Sequence, residues 1–195
     1  MMDYDIADIR KNYEKLDNER IIRLASEEAD GLRPEALDLL RQIIRERGLP
    51  PAVSRALEVQ VEEMDEKTLT GYCGLLRSLP CPQCNSVTEK LNANIVAQVS
   101  GGMFFPEPKV ACPTCLDKAY VSANTHNGLF GWRSIFGLVN VPRALLFNRK
   151  MKKFNHITEA TDALRDFVLK RAGRIELYRN DPEGLSDILL FPRGD

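Results

Sequence analysis

The sequence predicts a mainly helical α+β protein. A helical N-terminal region covers residues 1–79, and a second region, 80–195, joins a small antiparallel hairpin to C-terminal helices. Three observations predict this. Apolar residues recur at helical spacing through the first 80 residues, the period switches to strict alternation at Leu91–Val99, and helical spacing returns after residue 158.

The helices can be placed by their caps. Asp17 is an N-cap for a helix over residues 18–29, with Ile21, Ile22, Leu24 and Ala25 on its apolar side. After the short link 30–33, Pro34 suits a first helical position, and Leu37, Leu40, Ile43 and Ile44 continue at helical spacing. Gly48 ends that helix and Pro50-Pro51 enforce the break. A third helix is expected over 52–64 and a fourth from Asp65 to about Leu79. Short connections of this kind favour a bundle of antiparallel neighbours.

Between the cysteine pairs, Leu91, Ala93, Ile95, Ala97 and Val99 alternate with mostly polar residues, predicting a strand with one apolar face. Gly101-Gly102 supplies a hairpin turn. The returning strand carries Pro106 and Pro108, which lack donors on the same edge, so the other edge can pair and this strand lies at the sheet margin. Thr158 or Thr161 caps a helix expected to reach Arg179, Asp181-Pro182 opens a last short one, and Pro192–Asp195 reads as a frayed tail.

Composition sets bounds on function. The chain has 195 residues, 44% hydrophobic and 28% charged, as expected of a globular protein. Met1–Asp5 is acidic and lacks the pattern of a cleaved leader, and five cysteines, four in Cys-Pro-x-Cys units, suit a reducing compartment. A cytoplasmic protein is expected. The net charge of −1 conceals an asymmetry: residues 118–158 contain no acid, between flanks with acid excess.

Cys81-Pro82-Gln83-Cys84 and Cys112-Pro113-Thr114-Cys115 are separated by 27 residues. Two such units converge four thiolates on one tetrahedral ion, and a hairpin between them brings the pairs together. This pattern predicts one structural Zn2+ held by Cys81, Cys84, Cys112 and Cys115. A dithiol redox site is the competing reading. It requires a cysteine unit after a strand and at a helix start within a βαβ pattern, and neither unit is read as so placed. Four thiolate ligands leave no open position for catalysis, and no catalytic motif is found, so an enzyme is not favoured. His126 and His156 lie outside the quartet, and Cys73 reads as a small buried helix residue.

The paired knuckles around a hairpin resemble the zinc-ribbon class, which is rubredoxin-like in its turns. Cys112–Ala119, Gly128–Trp132 and Val141–Ala144 further resemble a set of bacterial zinc-ribbon proteins to which no activity is assigned. This second likeness spans roughly residues 81–180. It implies the ribbon and no chemistry.

Residues 128–147 form an apolar stretch interrupted by Arg133, Asn140, Pro142 and Arg143, and Arg149, Lys150, Lys152 and Lys153 follow it. Its length approaches a bilayer span, but a central arginine costs about 3 kcal/mol to insert. The bland expectation is a pair of buried helices with Trp132 in the core. The functional readings are a non-enzymatic zinc-binding adaptor for another protein, nucleic-acid binding through residues 133–153, and peripheral attachment to an anionic membrane surface through 128–153. For an anionic partner the candidate surface is Arg133, Arg143, Arg149, Lys150, Lys152 and Lys153.

Overall fold

A computed structural model describes residues 6–190; the acidic start and the tail expected to fray lie outside the described residues. Ten α-helices and one two-stranded sheet make up the described chain, as the sequence class predicts.

The N-terminal helices are α1 (Ile6–Lys15), α2 (Asn18–Arg23), α3 (Pro34–Glu46), α4 (Pro51–Val61) and α5 (Glu66–Arg77). Helix α1 is an addition to the expected elements, the first of which begins at residue 18. Helix α2 continues through a π-helical turn, Leu24–Glu28, so the helix expected over 18–29 forms with a wider last turn. Asp17 and Asp65 act as the predicted caps, accepting from the backbone N–H of Arg20 and Thr68 at 2.7 and 2.8 Å. Gly48 ends α3 at φ +60°, a left-handed conformation that glycine adopts without a Cβ clash. Pro51 does not extend that break; it opens α4 as its first residue, where no N–H is needed. Ile21, Leu40, Ile43, Ile44, Val53 and Leu57 form the buried core of this bundle.

The hairpin pairs β1 (Asn92–Ser100) with β2 (Met103–Ala111) in register Ser100↔Met103 to Asn92↔Ala111. Gly101 and Gly102 both have positive φ, +57° and +82°, as a two-residue turn matched to strand twist requires. The prolines sit opposite Ala97 and Ile95. The N–H of Ala97 points away from β2 to Asn148, so this is a non-hydrogen-bonded pair, and the prolines occupy the outer edge of β2 as expected.

The expectation of one apolar face on β1 is corrected. Leu91, Ala93, Ala97 and Val99 are buried, but so are Asn92, Asn94 and Val96. Helices on both sides enclose the strand: Val96 packs with Tyr120 and Ala123, while Ala97 and Val99 pack with Val141 and Ala144.

These covering helices are α6 (Pro113–Phe130) and α7 (Gly137–Lys152), followed by α8 (Asp162–Leu169), α9 (Ala172–Leu177) and α10 (Pro182–Leu190). Thr161, not Thr158, caps α8, accepting from Leu164 N–H at 3.2 Å. The single helix expected to Arg179 is instead two, broken at Lys170–Arg171. Gly173 lies just past the break. A Cβ there would stand 2.5 Å from the Ser26 carbonyl oxygen and 2.8 Å from that of Ala56, so α9 takes the direction that lets its backbone press on the N-terminal bundle. Buried Glu176 accepts from the Tyr72 hydroxyl at 2.9 Å and faces Arg55 at 3.2 Å, tying the same helix to α5 and α4.

Candidate metal centre and the opposite end

The chain between α5 and β1 turns tightly around the first cysteine pair. Asn85 N–H donates to Cys81 O at 2.7 Å, Cys81 N–H donates to Ser86 O at 2.9 Å, and Asn85 takes φ +56° to close the turn. The second pair is built differently. Cys112 directly follows β2 and is the N-cap of α6, Pro113 is its first residue, and Cys115 lies in its first turn. A cysteine unit therefore does follow a strand and open a helix, contrary to the sequence reading. What separates it from a dithiol pair is the arrival of the other two cysteines.

All four sulfurs lie within 4.8 Å of one another. Cys84 Sγ and Cys112 Sγ are 3.7 Å apart, beyond disulfide bonding. A tetrahedron with arms of about 2.3 Å has edges of about 3.8 Å, so that spacing suits zinc–thiolate coordination. Cys81 and Cys112 are buried, Cys115 is partly covered and Cys84 is exposed. His126 and His156 are not in the cluster. His156 instead meets Asp117, at 3.1 Å.

The electrostatics favour a cation. Burial pushes the Cys112 thiol up, and its hydrogen bonds with the neighbouring sulfurs add to this. Burial likewise raises Cys115. At Cys81 burial acts in the same direction but is outweighed by backbone N–H groups of Cys112, Gln83 and Cys84, leaving it at about 7. Four thiolates in so small a volume repel one another, and a divalent ion's charge is what brings all four to the anionic form. The N-terminus of α6 adds its partial positive charge. The residues present thus fit one zinc ion with a closed ligand set. Cys73 is buried in α5, and burial raises its thiol, as an inert structural cysteine requires.

At the other end of the hairpin, the segment predicted to be buried is so only in part: Val141 and Ala144 are buried, but its turn and the adjoining helix ends are not. Leu129, Trp132, Ile135, Phe136, Leu138 and Val139 are all exposed, Ile135 at 75% and Trp132 at 46%. The helices form and pack by their inner faces, but residues 131–136 make a turn beyond the end of β1, leaving these side chains nothing to pack on. Gly131 and Gly137 allow it: a Cβ on Gly137 would stand 2.2 Å from Gly131 O, so the turn closes on its own backbone. Asn140 Nδ2 donates to Gly102 O at 2.7 Å, pinning the turn to the hairpin tip.

The basic residues do not form one stripe. Arg133 lies over the Phe130 ring at 5.8 Å and Arg143 over Phe104 at 4.6 Å. Lys152 is 4.0 Å from Asp117. Arg149 and Lys150 are exposed on α7, and Lys153 is exposed at its C-cap.

Sequence reasoning missed a group of buried asparagines. Asn127 Oδ1 accepts from Val99 N–H at 2.7 Å, and Asn148 Oδ1 accepts from Ala97 N–H at 2.8 Å. Asn92 and Asn94 bond the next residue's N–H, and the Tyr120 hydroxyl donates to Ile95 O. Together they satisfy the edge of β1 that β2 does not pair, which is why both helices can bury it. Asn127 and Asn148 fall on helices, and only the unusual density of asparagine in an apolar region would have signalled this.

The fold and site define a mainly helical α+β protein with a four-cysteine cluster, compatible with a zinc-ribbon-like metal site. Comparison with protein families, curated proteins and solved structures yields no match.

Proposed function

We propose that this protein is a non-enzymatic zinc-binding adaptor, in which the metal clamps the base of the hairpin and the α6–α7 turn docks a partner. The exposed group Leu129, Trp132, Ile135, Phe136, Leu138 and Val139 carries the reading, because contiguous large apolar side chains in water are characteristic of binding surfaces. The closed ligand set supports a structural ion. Nucleic-acid binding has less support: Lys152 faces Asp117, and exposed apolar side chains interrupt the cations that would track phosphates.

Site-specific photocrosslinking in the native host tests the docking role. A crosslinker at Ile135 should give defined adducts that the same group at exposed Lys11 in α1 does not. Equal, unspecific labelling at both positions would remove the docking role, and chain lacking stoichiometric zinc would remove the metal.

A further inference from the structure

Resting on that docking reading, we infer that the partner is the surface of an anionic lipid bilayer, into which the α6–α7 turn inserts its apolar side chains. The form of the surface is the first argument. It is no groove: two antiparallel helices and a hairpin end together, and the turn projects Trp132, Ile135 and Phe136 outward beside Val139 at the start of α7. Met103, at the start of β2, is 59% exposed on the same end. A projecting apolar end suits a fluid interface, which needs no complementary cavity.

Charge is the second. The segments forming this end, residues 99–106 and 128–146, contain no carboxylate, while Arg133 and Arg143 flank the apolar side chains. The exposed face of α7 then changes character along its length, from Leu138 and Val139 through Arg143 and Leu146 to Arg149, Lys150 and Lys153. Ten residues of helix separate Val139 from Arg149, about 15 Å. Apolar groups at acyl depth would place the first arginines among the headgroups. The later cations would then lie in the layer just above, where the surface potential of anionic lipid is felt. A second copy of the chain fits less well, because stacking two such ends brings Arg133 and Arg143 against their counterparts with no acid between them. No helix among the described residues is long and apolar enough to cross a membrane, so the attachment is interfacial.

Trp132 is the one tryptophan of the chain and sits in the turn itself, so its emission reports this end alone. The zinc-loaded full chain is mixed with phosphatidylcholine vesicles, with or without about 30% phosphatidylserine. Emission should shift to the blue and be quenched by brominated acyl chains, and partition should be about tenfold stronger on the anionic vesicles and fall with added salt. Replacing Ile135→Ser with Phe136→Ser should weaken partition about tenfold or more. Both side chains are solvent-exposed, so thermal unfolding should not change. Arg133→Gln with Arg143→Gln should weaken it several-fold on anionic vesicles only.

Emission unchanged by vesicles, or full partition of the serine variant, would overturn the inference. A concentration-dependent blue shift without lipid, marking self-association, would also overturn it. If Ile135 crosslinks to a protein while vesicles leave Trp132 unchanged, the lipid surface is refuted and the docking reading stands. If neither adduct nor partition is found, both fall.

Discussion

The side-chain amide of Asn148 closes both free backbone groups of Ala97: Oδ1 accepts from its N–H at 2.8 Å, and Nδ2 donates to its carbonyl at 2.9 Å. Asn127 shares that carbonyl at 3.1 Å and takes the next free N–H, that of Val99. Two helices thus do for β1 what a third strand would otherwise do. The arrangement makes the hairpin dependent on polar side chains in an apolar interior, where an unmet donor is costly.

Asn148→Leu should therefore destabilise the protein by about 1–3 kcal/mol despite the same side-chain branching, since the Ala97 N–H loses its acceptor. The Ala97 carbonyl still has Asn127. Replacing both asparagines orphans it, so the double variant should lose more than the sum of the singles. Urea unfolding of the three variants measures this, and strict additivity would contradict the shared carbonyl.

The metal centre predicts a different pattern. Cys112→Ser should abolish stoichiometric zinc and lower Tm by roughly 10 °C or more, because the ion's binding energy is folding energy. Cys73→Ser, outside the cluster, should leave the metal content intact. Metal analysis and thermal unfolding of the purified chains distinguish these, and retention of zinc by Cys112→Ser would exclude the four-ligand site.

Two glycines should behave oppositely. Gly173→Ala forces a Cβ against the carbonyls of Ser26 and Ala56 and should cost about 1–3 kcal/mol through overpacking. Gly74, exposed in α5, has nothing within 4 Å of a built Cβ, so Gly74→Ala should gain about 0.5–1 kcal/mol of helix stability. Denaturant midpoints give both signs, and a stabilising Gly173→Ala would show that α9 does not press on the bundle.

Acid should weaken the α3–α4 contact. Arg41 bonds Glu58 through two nitrogens at 2.9 and 2.8 Å and, by these bonds first, holds its carboxyl below the ordinary value of 4.5. A carboxyl lowered in the folded state stabilises above its unfolded pKa, and that contribution is lost as pH falls through the folded one. Both partners are about a third exposed or more, so the pair contributes only about 0.5 kcal/mol. Glu58→Gln should cost that amount at neutral pH and nothing at an acid pH below the folded pKa. An equal cost at both pH values would assign the effect to packing.

Much of the fold was legible because its signals are local. Asp17, Asp65 and Thr161 cap the helices that follow them, Pro34 and Pro182 open theirs, and Gly101-Gly102 make the turn, all through contacts within a few residues. The four cysteines were legible for a related reason: two repeated pairs flanking a hairpin leave few ways to satisfy their ligand chemistry. What tertiary structure alone decided is where distant surfaces meet. The helix expected to reach Arg179 is broken before Gly173, which abuts backbone from Ser26 and Ala56, and no local period encodes that contact. The alternation at Leu91–Val99 announced one buried face, while asparagines on α6 and α7 made burial of the strand's edge tolerable. Apolar composition predicts burial of residues 128–147, yet Leu129, Trp132, Ile135, Phe136, Leu138 and Val139 are exposed. They stand in water because the turn they form runs past the end of the sheet, and hydrophobicity states what burial would yield, not whether a partner surface is within reach.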